Sequence, residues 1–517
     1  MSKTKRPNIL LLFTDQQRFD TIAALGNPFI KTPAMDRLVR EGTAFTRCYS
    51  PSPVCISGRC SLVTGQPAHV TGSTDNVPPK KDFPSFMEHL QKAGYQTHGS
   101  GKMHFSPDLY KLWGFEARDI QEEVVHKGSD YHKDMLARGY DHVLEDGGMR
   151  SEYYYIPQPS QFKPEDHQSS WVADRSIAFL KNRDTSRPFF LWSSWVKPHP
   201  PFESPVPWSK LYRPEEVGDS FRPEGGEELL TFWNRVQNRY KWRDNGRDEN
   251  LIRTIRAAYM ACISFVDYNI SRVLEELGDE LDNTLVILTA DHGEMLGDYG
   301  SFGKRCMLDP AVRIPMLVRW PKNFAAGKTC ETPVSLLDIW PTLMAAAGVE
   351  EAPAPGADLK RIAGGEQAGR AVLSQFQQKN LGLYMLATRK WKYIYSAADK
   401  TEFLIDVSGP AMKIDGRNGA GDPQYAGELA AMRTQLIQQL EKDGYTDATE
   451  NGQWKAYDVP DFGMSDPDFG LIYQDDPEDG GLLQKRINEL PEGYRRKVYK
   501  TGSESAVLIA NAIKLTR

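Results

Sequence analysis

Cysteine is scarce. Six residues in 517 (Cys48, Cys55, Cys60, Cys262, Cys306 and Cys330) are too few for a disulfide framework, and no two stand as C-x-x-C, the usual mark of a structural zinc site. Basic charge is not in excess either: 63 Lys and Arg against 69 Asp and Glu give a net charge of −6, which leaves no footprint for nucleic acid. No apolar run approaches the roughly 20 residues of a membrane span, so no membrane partner is expected. The N-terminal stretch MSKTKRPNILLLFTDQQ lacks the long apolar region and small-residue cleavage site of a secretory signal. Its apolar run ends in Asp15, so it is expected to be a first core strand, and a cytoplasmic location is expected for the chain as it stands. Internal repeats, low-complexity tracts, the G-x-S-x-G elbow of serine hydrolases and the local signatures of cysteine proteases are also absent.

The balance that remains, 40% hydrophobic and 26% charged, is that of a globular protein, and the length calls for more than one domain. Through the first two-thirds, strand-like and helix-like segments alternate. PNILLLFTD and NTLVILTADHGE are continuous apolar runs ending in polar residues, as strands buried on both faces do. TPAMDRLVREG reads as a helix with Thr32 as N-cap, Pro33 at the first position and Gly42 past its end. Residues 250–278 place Ile252, Ile255, Tyr259, Cys262, Val266, Ile270 and Val273 on one helical face. The expected fold class is α/β, a mixed and mostly parallel central sheet with helices on both faces. After about residue 375 the pattern changes to a small antiparallel sheet, with GELAAMRTQLIQQLEKDG as a helix packed on it. The expected divisions are 1–375 for the body, 376–450 for the small sheet and helix, and 451–517 for a tail. That tail either wraps the body or a neighbouring copy in a homo-oligomer, or is disordered.

Sites in such sheets lie at the carboxyl ends of the strands. Asp15 and Gln16 close the first apolar run, Asp291 and His292 close another, and Lys102 and His104 follow a third. Two carboxylates and an imidazole on one rim would suit a divalent cation. A capping Asp beside a surface His would give the same DH pair. The stretch CISGRCSLVTG adds Cys55 at the expected start of a helix, with Ser57 and Gly58 to turn the chain. A helix N-terminus and Arg59 would lower the pKa of a thiol there and hold an oxyanion. A small buried cysteine facing the core is the plain alternative.

CISGRCSLVTG resembles the signature of type I sulfatases, Cys-x-Pro-Ser-Arg-x-x-x-x-Thr-Gly. PNILLLFTDQQR is similar to that family's metal-binding first strand, GSGKMHF to its Gly-Lys-Trp-His loop and VKPHPPFESP to its His-x-Pro-Phe segment. NTLVILTADHGEMLGDYGSFGK resembles its second metal strand and following lysine, and VSLLDIWPTLMAAAG its late helix. These six stretches keep the family's order across residues 8 to about 348. The resemblance implies an alkaline-phosphatase-like fold and hydrolysis of a sulfate monoester. It also implies that a separate formylglycine-generating enzyme oxidises Cys55 to formylglycine, whose hydrate is a geminal diol. A thiol that attacked sulfur would be left with a thiosulfate ester that has no easy exit; the second hydroxyl of a diol can expel sulfate.

Carried over residue by residue, the resemblance assigns Asp15, Asp291, His292 and the modified Cys55 to a divalent cation, Ca2+ first, with Mn2+, Mg2+ or Zn2+ as alternatives. Arg59 would hold the modified side chain, and Lys102 and Lys304 would neutralise the ester oxygens. His199 would protonate the leaving group, with Lys304 as the competing candidate, and His104 would take the proton of the second hydroxyl. Gln16, where many members have a second Asp, and Asn76 are candidate substrate contacts. Gln16, and His292 where many members have Asn, are similar to the subset containing choline sulfatases and phosphonate monoester hydrolases.

Ser57 and Gly58 replace the proline and serine of the usual signature. The common oxygen-dependent modifying enzyme reads that proline. Three outcomes stay open: a sulfatase modified by another system, a phosphonate or phosphate diester hydrolase on the same scaffold, and a binding protein with a free thiol. Residues 231–250 gather Trp233, Arg235, Arg239, Tyr240, Lys241, Trp242 and Arg243. These are expected either to form subsites for a sulfated oligosaccharide or to line the solvated face of a helix.

Overall fold

In a computed structural model of the protein, the structure describes residues 6–123, 128–143, 145–150, 154–241, 248–350, 355–410 and 414–458. The strands of the main sheet are β1 (Asn8–Asp15), β2 (Thr43–Phe45), β3 (Gln96–Gly101), β4 (Ala117–Ile120), β5 (Phe189–Pro198), β6 (Thr284–Ala290), β7 (Met316–Arg319) and β8 (Lys328–Cys330). Among the described residues they lie in the order β8-β2-β7-β6-β1-β5-β3-β4. β1 pairs in parallel with β5 and β6, and β3 with β5 and β4; β7 runs antiparallel to β6 and β2. The fold is therefore the expected mixed, mostly parallel α/β sheet.

The helices that matter here are α1 (Pro33–Glu41), α2 (Cys55–Thr64), α3 (Phe86–Lys92), α4 (Gln168–Asn182), α5 (Phe232–Lys241), α6 (Glu249–Glu276), α7 (Ile339–Ala347) and α8 (Ala426–Lys442). Successive residues of a strand point to opposite faces, which is why β1 has no polar side until its end. Leu10 and Leu12 pack against α1, α4 and α6, whereas Ile9, Leu11 and Phe13 pack against α2, α3 and α7. The α6 face read from the sequence is wholly buried.

Two local expectations need correction. Thr32 does not cap α1: its hydroxyl accepts from the Ala23 N–H at 3.0 Å and donates to Asp36 at 3.1 Å. The N–H groups of Ala34 and Met35 go instead to the Asp267 carboxylate on α6, at 3.0 and 2.8 Å. Ser57 and Gly58 do not turn the chain either. α2 already begins at Cys55, directly after extended Val54, and both residues lie in its first turn.

The second sheet is an antiparallel meander of Val372–Phe376, Leu383–Ala387, Trp391–Ser396 and Thr401–Asp406. Phe376, Met385, Ile394 and Phe403 face the body, and Tyr384, Leu386, Tyr393 and Leu404 face α8. Lys392 shares the body-facing side with Ile394 and ends buried, 2.8 Å from Asp309 and bonded to Asp415. Of the expected tail, 451–458 is described. Trp454 there stacks on Tyr395 with ring centroids 4.2 Å apart; residues 459–517 lie outside the described part. Among the described residues no helix is long and apolar enough to cross a membrane.

Candidate active site

β1 and β6 are neighbours in the sheet, so Asp15 and Asp291 end side by side. α2 is laid against this rim, and Gly58 is where the helix comes closest. A Cβ there would meet the Ser52 carbonyl oxygen at 3.0 Å and that of Asp291 at 3.3 Å. Arg59 then reaches across the rim: Nε donates to Asp291 at 2.9 Å and Nη2 to Asp15 at 3.2 Å. Its Nη1 donates to the Lys102 carbonyl at 2.6 Å and to Ser194 Oγ at 3.1 Å. A buried guanidinium is affordable only with such a set of acceptors.

Cys55 Sγ lies 3.2 Å from His292 Nε2 and 3.7 Å from Asp15 Oδ1. Lys304 Nζ also stands 2.8 Å from it. His292 Nδ1 donates a hydrogen bond to the Gly293 carbonyl at 3.1 Å, which turns Nε2 into the cluster. The ligand atoms of Asp15, Cys55, Asp291 and His292 all lie within 4.8 Å of one another, and all four residues are buried. Burial and the neighbouring Asp15 push the Asp291 carboxyl up. Burial and Cys55 act the same way on Asp15, but Lys102, His199 and Arg59 outweigh them and hold it well below the usual carboxylate range. Two carboxylates, a sulfur and an imidazole nitrogen converging within 4.8 Å fit a divalent cation.

Lys102 follows Gly101, whose φ of +95° and a Cβ position 2.0 Å from the Ser194 carbonyl admit only glycine. Lys102 Nζ sits 2.7 Å from Asp15 and 2.6 Å from Glu123. Glu123 in turn is 3.3 Å from His199 Nε2 and 2.9 Å from Arg150. Burial would raise Glu123, but His199, Lys102 and Arg150 together keep it well below the ordinary range. Burial pushes His199 down to about 4, against the opposing pull of Glu123. Its Nδ1 donates to the Pro200 carbonyl at 2.6 Å, so Nε2 is a bare acceptor at neutral pH. Burial alone would raise the Cys55 thiol; Lys304, Lys102 and His292 hold it well below its ordinary value.

The residues singled out from the sequence thus fall into one buried cluster with two members on its rim. His104 is half-buried, its N–H donating to Glu122 at 3.1 Å, and one of its ring nitrogens lies within 4.8 Å of Cys55 and Glu123 ligand atoms. Asn76 is exposed, and its Oδ1 accepts from the Ile56 N–H at 3.2 Å in the first turn of α2. Of the seven residues singled out in 231–250, the side chains of Trp233 and Arg235 are described. Trp233 donates to the Leu381 carbonyl at 2.9 Å and packs on Phe376, and Arg235 pairs with Asp399, so both dock onto the second sheet. The side chains of Arg239, Tyr240, Lys241, Trp242 and Arg243 lie outside the described part. α5 also braces the Lys304 loop: Gln237 Oε1 accepts from the Lys304 N–H and Asn238 Oδ1 from that of Phe302, each at 3.1 Å.

Sequence reasoning missed Glu123, which stands in a loop without a motif, and Glu294, which was in view in the string DHGE. Glu294 is fully buried and takes the Gln16 amide and the Tyr155 hydroxyl.

The pattern of the family described as Sulfatase matches residues 7–349, two-thirds of the chain. The chain belongs to the sulfatase family. Its later part, residues 297–442, also matches the pattern described as N-sulphoglucosamine sulphohydrolase, C-terminal. An arylsulfatase of Clostridium perfringens is 29% identical over 493 residues, covering 88% of this sulfatase and 98% of the relative. A choline-sulfatase of Rhizobium meliloti is 28% identical over 491 residues, covering 88% and 92%. The crystal structure of a phosphonate monoester hydrolase of Agrobacterium radiobacter superposes with a TM-score of 0.73 at 25% identity, covering 87% of this chain and all of that one. The sulfatase is thus a hydrolase whose relatives lie in the subset that Gln16 and His292 suggested.

Proposed function

We propose that the protein hydrolyses a sulfate monoester of a small aryl, alkyl or carbohydrate alcohol, with residue 55 as nucleophile. The observation that carries this is the position of Cys55 Sγ, 3.2 Å from His292, 3.7 Å from Asp15 and 2.8 Å from Lys304. Formylglycine at position 55, the family's modification, would supply a hydrated aldehyde as an oxygen nucleophile with a built-in means of releasing sulfate. A divalent cation, Ca2+ in the first instance, would be held by Asp15, Asp291, His292 and residue 55, and would supply charge to polarise a sulfate oxygen.

The chain's own residues do the rest. Arg59 ties Asp15 to Asp291 and so sets the spacing of the carboxylates. Lys102, beside Asp15, and Lys304, beside residue 55, would bring positive charge to the ester oxygens. His199, with Nε2 3.3 Å from Glu123, is placed to deliver a proton to the leaving oxygen. Lys304 is the second candidate for that proton. His104, at the rim, is placed to accept one from residue 55. Sulfate-ester chemistry is supported by the arylsulfatase and choline-sulfatase relatives.

A second reading, hydrolysis of phosphonate monoesters, is supported by the Agrobacterium radiobacter hydrolase, since both substrates present a tetrahedral oxyanion. Matched aryl sulfate and aryl phosphonate esters assayed side by side separate the two. Mass spectrometry of the peptide around Cys55 from the native host tests the nucleophile. Formylglycine is about 18 Da lighter than cysteine, as replacing a thiol by a carbonyl requires. Wholly unmodified cysteine there, with no turnover of either ester, would overturn both readings.

A further inference from the structure

The Glu294 carboxylate is saturated. Oε1 accepts from the backbone N–H groups of Leu296, at 3.1 Å, and Gly303; Oε2 accepts from the Tyr155 hydroxyl at 3.1 Å and from Gln16 Nε2. Gly303 immediately precedes Lys304, so one buried side chain touches both the end of β1 and the lysine loop. The other end of the Gln16 amide faces that lysine: Lys304 Nζ donates to Gln16 Oε1 at 2.9 Å and also stands 2.8 Å from Cys55 Sγ.

An amide side chain has two nearly isosteric ends, and here its orientation is dictated by its partners. Glu294 offers only acceptors and Lys304 only donors. Turning the amide over would set Oε1 against a carboxylate and an NH2 group against an ammonium, losing two charge-assisted bonds at once. The Gln16 backbone is held as firmly. Its φ of +68° is unfavourable for a residue with a side chain, and two bonds keep it there: its N–H donates to Asp291 at 3.0 Å and its carbonyl accepts from the Tyr259 hydroxyl at 2.7 Å.

We propose that Glu294 is a positioning residue: it fixes the Gln16 amide so that Oε1 faces the reacting centre and holds Lys304 against residue 55. Glu294 touches neither residue 55 nor the cation ligands through its own carboxylate; it reaches the Lys304 ammonium through Gln16, while its bond to the Gly303 N–H, which the amide oxygen of Glu294→Gln can keep, steadies the loop backbone. The inference rests on the reading of this cluster as an oxyanion site, and the test keeps the two apart.

The test is a double-mutant cycle of Glu294→Gln and Gln16→Ala, read as kcat and KM on the aryl ester that the wild type turns over and as the affinity for inorganic sulfate by calorimetry. Each single variant is expected to lose about tenfold in kcat/KM, mostly in kcat, with a parallel loss of sulfate affinity. The double variant should fall within about threefold of the weaker single, because once the amide is gone there is nothing left to orient. Tyr155→Phe, which leaves the Glu294–Gln16 bond in place, should stay within about threefold of the wild type. Multiplying losses in the double variant, or a Glu294→Gln protein equal to the wild type, overturns the proposal. If Glu294→Gln does not fold, Glu294→Asp takes its place in the cycle: it keeps the charge but falls short of Gln16, and the same pattern is expected. A wild type that turns over neither ester sinks the hydrolase reading alone, and the cycle is then decided on sulfate affinity. A wild type that does not bind sulfate either overturns both.

Discussion

Lys304 Nζ stands 2.8 Å from Cys55 Sγ although 249 residues separate them in the chain. The bond spans the gap between α2 and the loop after β6, and α5 braces that loop from behind through Gln237 and Asn238. The ammonium is therefore fixed before any substrate arrives, which is the condition under which a charge contributes to the barrier and not merely to binding.

Lys304→Ala is expected to lower kcat by about a hundredfold, the usual loss for one preorganised donor at a developing anion. The melting temperature should hardly change, because the loop is anchored by backbone bonds that the substitution leaves alone. An intact kcat in a folded Lys304→Ala protein would remove Lys304 from the chemistry.

Removing the proposed cation should loosen the fold. Without it, Asp15 and Asp291 confront each other across the rim with Arg59 as their shared counter-ion. Dialysis against a chelator is expected to lower the thermal midpoint. Restoring Ca2+ at about a hundred times its Kd should return roughly 2.7 kcal/mol, by mass action on the folded state. In a protein carrying Asp15→Asn and Asp291→Asn the chelator should have no effect. Equal midpoints for chelated wild type and for wild type at saturating Ca2+ would contradict the proposed metal site.

Much of this cluster was legible because polar residues close otherwise apolar runs. Asp15 after ILLLFT and Asp291-His292 after TLVILTA could only be strand ends. Parallel neighbours then had to bring them to one rim, as the pairing of β1 with β6 does. Glu123 and Asp267 were not legible, since their meaning lies in partners far along the chain. Asp267 serves Ala34 across 233 residues, and a local reading could only nominate adjacent Thr32 for that task. The partners of Trp233 and Arg235 in the insert 231–250 were hidden for a related reason. Its aromatic and cationic composition suited a glycan, but Trp233 and Arg235 are spent on the second sheet, a surface that its own sequence does not reveal.

Asp267 carries a pH dependence of stability. Burial raises its carboxyl from 3.8 to about 7, even though the Ala34 and Met35 N–H groups favour the charged form. Between those values the folded chain holds a proton that the unfolded chain has released. Its contribution is therefore full below about 4 and is lost as pH rises towards 7. Urea denaturation of wild type and Asp267→Asn at pH 5 and pH 8 isolates this group from the rest. The advantage of wild type over the variant should shrink by about 1 kcal/mol or more across that range. Parallel behaviour of the two proteins would mean that the carboxylate stays charged throughout, stabilised by the N-terminus of α1.

Lys392 is the hinge of an ion cluster between the second sheet and the body, with Asp309 at 2.8 Å, Asp415 bonded to the same nitrogen and Arg313 3.0 Å from Asp309. All four side chains are buried. Lys392→Met would fill the same space and leave two carboxylates facing each other with only Arg313 to compensate. A loss of about 3–5 kcal/mol in urea denaturation is expected, the cost of stranding a buried charge. Adding Asp415→Asn should recover much of it, because Asp309 then keeps Arg313 and no carboxylate is stranded. Turnover per folded molecule should be unchanged in both proteins, since none of these residues contacts the cluster around residue 55. If the second substitution recovers nothing, the cost of Lys392→Met lies in packing at the sheet and not in charge.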